Sequence, residues 1–204
     1  MKAPINDGAV GIRQFRIEDT GEHYSAVRES VDNLCRWMTW CRPDHCLDDS
    51  RSFVSSRDRE WMSGREYSFV VYSLKDDAFL GTVGLTRVDR CHQCANLGYW
   101  VRSGRCRQGI GTTAVWLAAR FAFEQIDLNR LEIVVPVENR FSARVAEKAG
   151  AHFDGEFKRR VILQGHAQDA LVYSLTAPVL TGEQGLAAWQ VGRTNYSSQY
   201  HRLR

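Results

Sequence analysis

The sequence predicts a mixed α/β (α+β) domain with one central, mostly antiparallel twisted sheet flanked by helices. Three observations carry this. Between residues 67 and 101, three β-branched and aromatic runs follow one another across short polar turns, the pattern of an antiparallel meander. Two apolar runs, residues 97–101 and 131–135, are separated by a long stretch of helical periodicity, which makes them parallel neighbours joined by a crossover. The chain then closes on a hairpin around Gly165. With 204 residues, 44% hydrophobic and 25% charged, there is material for one domain with a substantial core.

From the amino terminus, Val10-Gly11-Ile12-Arg13-Gln14-Phe15 reads as a first strand. Residues 17–20 lead through a cap-like turn into a helix containing Tyr24, Val27 and Val31. The following segment, Leu34-Cys35-Arg36-Trp37-Met38-Thr39-Trp40, is unusually aromatic. Its two tryptophans, three apart, are expected on one helical face, which either packs on the core or walls a ligand pocket. Pro43 breaks this segment, and residues 48–62 read as a second helix ending near Gly64. Residues 67–72 form a strand, Lys75-Asp76-Asp77 its turn, and residues 79–88 the next strand. Residues 90–95 then turn into the strand at 97–101. A helix is expected from Thr112, where Val115, Ala118, Ala119 and Ala122 recur at helical spacing. After the strand at 131–135, residues 138–142 turn into a helix over 143–148 that Gly150 stops. Residues 157–163 and 170–175 make the closing hairpin. Residues 1–177 thus read as one domain. Residues 178–204, rich in Gly, Ser, Gln and Thr with isolated Trp189 and Tyr196, read as a C-terminal extension.

The formal net charge of +3 is too small to argue for nucleic acid, though it suits an anionic ligand. No run approaches a membrane span, and MKAPINDGAV lacks the apolar centre of a signal peptide, so a cytoplasmic protein is expected. Six cysteines in such a chain read as free thiols. Cys41 and Cys46 with His45, and Cys91 and Cys94 with His92, offer donor types that zinc accepts. The first spacing is longer than the usual ligand knuckle and the second lies in an expected hairpin turn, so no metal is expected.

The stretch from Asn96 to Gln125 concentrates the chemistry. A strand runs into a loop of Arg, Gly and Gln that ends in Gly109-Ile110-Gly111, and a helix begins where the glycines stop. The first helical turn has backbone N–H groups without intrahelical partners, and the helix dipole adds positive character there. Gly109 and Gly111 remove Cβ atoms that would hold a ligand off, while Arg102, Arg105 and Arg107 bring cationic charge. An ordinary strand-to-helix turn is the competing account. No G-K-[ST] follows, so this is not a P-loop. Val115 and Trp116 stand where a dinucleotide fingerprint needs its third glycine.

These residues resemble the pyrophosphate motif R/Q-x-x-G-x-G/A of the GNAT N-acetyltransferases, which falls here on Cys106-Arg107-Gln108-Gly109-Ile110-Gly111. Cys106 departs from the first position, where Arg105 or Arg107 can supply the charge. The likeness covers about residues 10–176. It includes Gly81-Thr82-Val83-Gly84-Leu85, Leu97-Gly98-Tyr99-Trp100-Val101, Asn139-x-x-Ser142, Glu147-Lys148-Ala149-Gly150 and residues 169–175. In this arrangement they look like the RimJ/RimL branch, whose members acetylate protein amino termini or small amines.

The resemblance implies a GNAT fold in which the parallel strands splay apart and acetyl-CoA, as co-substrate, lies between them. Backbone near Tyr99, Trp100 and Val101 would meet the pantetheine amides and thioester. Gly109, Ile110, Gly111 and Thr112, with Arg107, would hold the pyrophosphate, and Asn139 would bind the pantetheine. Ser142 stands where the family places a hydroxyl against the leaving sulfur, although a serine at a helix start also caps well. Transfer to an amine needs a route for the amine's proton and stabilisation of the thioester carbonyl. Asp154 falls where RimL-like proteins carry an acid. Glu132 and Glu138 are weaker candidates, deprotonation through water is a further route, and Asn96 stands where many relatives have a carboxylate.

The amine acceptor is expected to be a protein or peptide N-terminus, with Trp37 and Trp40 as its contacts. The alternatives are a small amine such as an amino acid, polyamine or antibiotic, and a non-catalytic acyl-CoA-binding module. No nucleic acid and no membrane partner is expected. A homodimer through the final hairpin and tail is implied by family likeness alone.

Overall fold

The computed structural model describes residues 5–177; the expected extension at 178–204 lies outside them. The described strands form an eight-stranded sheet in the order β1-β2-β3-β4-β5-β6-β8-β7. These are β1 (Ile5–Asn6), β2 (Val10–Gln14), β3 (Tyr67–Ser73), β4 (Phe79–Asp89), β5 (Cys94–Val101), β6 (Arg130–Pro136), β7 (His152–Leu163) and β8 (His166–Thr176). Neighbouring strands run antiparallel except β5 and β6. Among the described residues five α-helices cover the sheet: α1 (Thr20–Glu29), α2 (Val31–Trp37), α3 (Leu47–Ser63), α4 (Ile110–Gln125) and α5 (Arg140–Lys148).

Alternation along the strands divides the core in two. Leu85, Leu97, Leu131, Ile133 and Tyr173 point to the face where Ala114, Leu117, Phe121 and Ala122 of α4 and Ala143 and Ala146 of α5 pack. Val70, Phe79 and Trp100 point to the other face, against Ala26 and Val27 of α1, Leu34 of α2 and Val54 of α3. Each large apolar side chain buried this way contributes about 1.5–3 kcal/mol. Trp61, near the end of α3, reaches round to the first core, its ring 5.0 Å from Phe69 and 5.4 Å from Phe121.

The parallel pair opens into a wedge. β5 and β6 pair only at Cys94↔Arg130, Ala95↔Leu131 and Asn96↔Glu132. Beyond that point β5 stays with β4 as far as Val101↔Gly81, and β6 stays with β8 as far as Pro136↔Ala170. The outer partners therefore hold the two strands while their inner edges lose register. Gly81 marks how closely β4 grips β5: at φ +153° it has no Cβ, and one placed there would lie 2.2 Å from the Trp100 carbonyl oxygen.

Four local expectations are corrected. The first helix stops at Ser30, and Val31 opens α2 instead of continuing α1. α2 ends at Trp37, with Met38 extended (φ −113°, ψ 119°), so Trp37 and Trp40 do not share a helical face. The long helix starts at Ile110, before Thr112, because Gly109 takes the left-handed N-cap position. The closing hairpin is longer at its first strand, which begins at His152 and takes in Asp154. No described helix is long and apolar enough to cross a membrane.

Candidate active site

The start of α4 faces the wedge as a bare helix end. Gly109, at φ +82°, is its N-cap; no side chain caps it, and no acidic residue occupies the first turn. A Cβ on Gly109 would meet nothing within 4 Å, so the left-handed backbone, not crowding, is what requires glycine there. Residues 103–109 are exposed, and the first-turn amides of Ile110, Gly111 and Thr112 have no intrahelical partner. The arginines divide their work. Arg102 is spent on Glu29, with Glu22 3.6 Å away, while Ser103 N–H donates to Ser30 Oγ (2.9 Å) and pins the loop to the end of α1. Arg107, itself at φ +63°, lies over the Phe141 ring at 5.7 Å and joins the loop to the first turn of α5. Exposed Cys106 turns its thiol back towards the Val101 and Arg102 carbonyls.

At the mouth of the wedge the fold brings together residues 43 positions apart. Tyr99 Oη lies 2.9 Å from the Ser142 carbonyl oxygen, to which it donates, and 2.9 Å from Ser142 Oγ. Burial pushes the Tyr99 phenol well above its usual range, with the Ser142 hydrogen bond opposing, so it stays protonated and acts as a donor. Asn139 is the N-cap of α5: its side-chain oxygen accepts the Ser142 N–H at 3.2 Å. Capping is therefore done by Asn139, and the Ser142 hydroxyl is released from that task. Of the other residues expected at the donor, Val101 borders Gly111 and the wedge, whereas the Trp100 ring turns away into the second core, 5.9 Å from Phe79 and 6.0 Å from His23. Only the Trp100 backbone is left to the wedge.

A cavity of about 560 Å³ lies beyond the end of β6. Arg36 and Trp37 of α2, Glu138 after β6, and Glu156, Gln164 and Asp169 of the β7–β8 hairpin line it. Gln164 Nε2 donates to the Cys35 carbonyl (3.3 Å), which ties the hairpin tip to α2. Lys158 bonds Glu156 at 2.8 Å and Asp169 at 2.9 Å. The Arg159 amide and Lys158 hold the Asp169 carboxyl below the usual carboxylate range. Trp37 is in this lining, with the Arg36 guanidinium 4.7 Å from its ring. Trp40 is not: it is 45% exposed and leans on Trp100 and His45.

Asp154 does not join the Tyr99–Ser142 pair. It accepts from Arg130 (2.7 Å) and Ser174 (3.0 Å), has His152 Nδ1 at 3.1 Å, and sits on the opposite sheet face from Tyr173. Burial alone would raise its carboxyl, but His152, Ser174 and Arg130 outweigh it and hold it low. Sequence reasoning missed the Tyr99 hydroxyl and the hairpin carboxylates Glu156 and Asp169, because they become neighbours only through strand pairing. Among the described residues no group of three or more His, Cys, Asp or Glu side chains is placed to hold a metal ion.

Comparison with known proteins bears on the family and the fold. Residues 10–152 match the family model described as "Acetyltransferase (GNAT) domain". The chain is 31% identical over 178 residues to a Bacillus subtilis (strain 168) protein named "Putative ribosomal N-acetyltransferase YdaF", covering 86% of this chain and 95% of that one. It is 23% identical over 155 residues to the "Ribosomal-protein-serine acetyltransferase" of Escherichia coli (strain K12), covering 72% and 86%. Among solved structures, Mycobacterium smegmatis RimJ in complex with CoA-disulfide superposes with a TM-score of 0.79 at 28% identity, covering 94% of both chains.

Proposed function

We propose, proceeding from the fact that the chain belongs to the GNAT acetyltransferase family and is an N-acetyltransferase, that its acceptor is the terminal amine of a protein or peptide and its acyl donor acetyl-CoA. The observation that carries the reading is the wedge between β5 and β6, with a bare helix end on one side and the Tyr99–Ser142 hydroxyl pair at its mouth. These residues fit the donor. The amides of Ile110, Gly111 and Thr112, with Arg107 beside them, suit a pyrophosphate. The unpaired edge at Tyr99, Trp100 and Val101, with Asn139 Nδ2, suits an amide-bearing arm. Acetyl-CoA supplies an activated acetyl thioester when bound.

The chain's own groups then have defined tasks. Ser142 Oγ hands a proton to the leaving sulfur. Tyr99 Oη, 2.9 Å from both the Ser142 carbonyl and Oγ, swings its hydrogen bond to the Oγ that is losing its proton, and the second proton shed by the attacking nitrogen returns to Oγ. The acceptor ammonium enters the cavity, where Glu138 and Asp169 attract its charge, its first proton passes to solvent water, and Trp37 covers its apolar neighbour. Relatives named for ribosomal proteins support a peptide acceptor. The three carboxylates in the lining give some support to a small polyamine as well.

The test is thiol release from acetyl-CoA with a panel of peptides bearing free or blocked N-termini, run beside polyamines and amino acids. Release that requires a free peptide N-terminus, and acceptor KM that rises in Trp37→Ala, supports the reading. Release with small amines alone overturns the peptide assignment.

A further inference from the structure

Next to the part of α2 that lines the cavity stands a pair of thiols that acetyl transfer does not use. Cys35, in the last turn of α2, and Cys41, in the turn beyond it, place their sulfurs 2.9 Å apart. The backbone makes this meeting. Met38 N–H donates to the Leu34 carbonyl (2.7 Å) and Cys41 N–H to the Met38 carbonyl (3.2 Å), folding residues 38–41 back along the helix. The two thiols differ in access: Cys35 is half-buried and Cys41 buried at 8% exposure. The short segment between them contains Arg36 and Trp37 of the cavity lining, and the Cys35 carbonyl is the anchor for Gln164 of the hairpin.

We propose that Cys35 and Cys41 are a reversible thiol–disulfide site, closed by peroxide-class oxidants, through which oxidation acts on the acceptor cavity. The effect on acceptor binding rests on the assignment of that cavity given above, whereas the bond itself does not. Closure asks little of the fold, since the sulfurs need approach by less than about 1 Å to reach bonding distance. Burial pushes the Cys41 thiol up to about 12, so Cys41 keeps its proton and the more accessible Cys35 meets the oxidant first.

Cys35 Sγ, as thiolate, attacks one oxygen of hydrogen peroxide. The O–O bond breaks, and the departing hydroxide takes up the proton Cys35 had lost and leaves as water, with a sulfenic acid on Cys35. Cys41 Sγ then attacks that sulfur. The S–S bond forms, the S–O bond breaks, and the hydroxyl leaves with the Cys41 proton as a second water. Two thiols have lost two electrons to one peroxide, and a small dithiol returns the pair to its starting state. The bond ties the end of α2 to residue 41, so Trp37 and Arg36 lose freedom to adjust around an acceptor. The wedge and the start of α4 are untouched.

The experiment treats the full chain with graded hydrogen peroxide, alkylates the remaining thiols and maps tryptic peptides. Arg36 lies between the two cysteines, so a Cys35–Cys41 bond joins two peptides that are otherwise separate. The expected result is that joined pair, two hydrogens lighter, reversed by dithiothreitol and absent in Cys35→Ser and Cys41→Ser, with Cys41→Ala in reserve if the buried serine misfolds. Acceptor KM is expected to rise several-fold in the oxidised protein, with donor KM unchanged and no such rise in Cys35→Ser. Recovery of both cysteines alkylated after peroxide, or bonded to other cysteines, overturns the site. A formed bond with unchanged acceptor KM overturns its action on the cavity. Mapping needs no turnover, so failure of the acceptor assignment is read separately from failure of the bond.

Discussion

On the proposed donor side of the wedge the groups assigned to the ligand are backbone amides at the start of α4, gathered within a few consecutive residues and preceded by one left-handed glycine. On the proposed acceptor side they are side chains drawn from α2, the turn after β6 and the β7–β8 hairpin, and they meet only because the sheet and helices bring them there. The first construction depends on local backbone geometry, the second on tertiary packing. Conditions that loosen packing should therefore damage acceptor recognition before donor binding.

Acid should give the largest effect. Among the aromatic rings of the second core, His23 of α1 and His45 both bond the hydroxyl of Ser50 in α3, at 2.9 and 2.8 Å, and His23 is 2% exposed. Burial first, then His45 and Arg57, lower His23 to about 4 from an ordinary value of 6.5. The folded state thus refuses a proton that the unfolded state accepts. Stability from neutral His23 is complete above about pH 6.5 and is lost as pH falls towards 4, by about 3 kcal/mol over that window. Thermal unfolding between pH 7 and 4 should show a fall in Tm of roughly 10 °C, flattened in His23→Gln. Unchanged pH dependence in that variant would remove the buried histidine from the account.

Next in size, Ser142→Ala should lower kcat about a hundredfold while leaving acetyl-CoA affinity and Tm nearly unchanged, because Asn139 still caps α5. Calorimetric binding and single-turnover rates separate these. Lost stability with normal turnover would return Ser142 to a structural part.

Gly109→Val should come third. A β-branched residue at φ +82° costs about 1–2 kcal/mol, and the loop relieves it by turning the first amides out of convergence. Acetyl-CoA affinity should fall roughly tenfold with acceptor KM unchanged. A rise confined to acceptor KM would invert the division between the two sides.

That division also explains what could be read from the sequence. The donor side is legible because its determinants are contiguous: an aromatic strand, a glycine pair and a helical period announce strand, loop and helix, and the parallel pairing of β5 and β6 follows from the crossover. Its boundaries slipped by about half a turn because Gly109 takes the cap and Ile110 enters the helix. The acceptor side was legible only as composition. Trp37 and Trp40 look alike in a helical pattern, yet α2 stops between them, putting one in the cavity and the other on Trp100. Glu156 and Asp169 are 13 positions apart and share Lys158 only after hairpin pairing. The wedge itself is invisible in any one strand, since it is a loss of register between two.

The smallest expected effect tests where the division is most exposed, at Asp154. Its sequence position, where RimL-like proteins carry an acid, invites a role as general base, and a base must be able to hold a proton near the working pH. Asp154 is poorly suited to that. Its oxygens are taken by Arg130, His152 and Ser174, its carboxyl is held below the ordinary range, and strand alternation sets it across the sheet from the Tyr99–Ser142 hydroxyls. Arg130 is partly exposed, so the ion pair is worth only about 0.2–1 kcal/mol. Asp154→Asn keeps an oxygen for Ser174 and loses that pairing. Turnover with peptide acceptors should stay within about twofold of the starting protein and stability should fall by less than about 1 kcal/mol at pH 7. Because the folded carboxyl is depressed, its contribution is present above its unfolded value of 3.8 and is lost as pH falls below it, so the variant should differ least from the parent in strong acid. A hundredfold loss of kcat, with the acid limb of the pH–rate profile removed, would make Asp154 the base. The chemistry would then run through the sheet from one face to the other, and the separation of a backbone-built donor side from a side-chain-built acceptor side would have to include the β6–β8 face as part of the reacting centre.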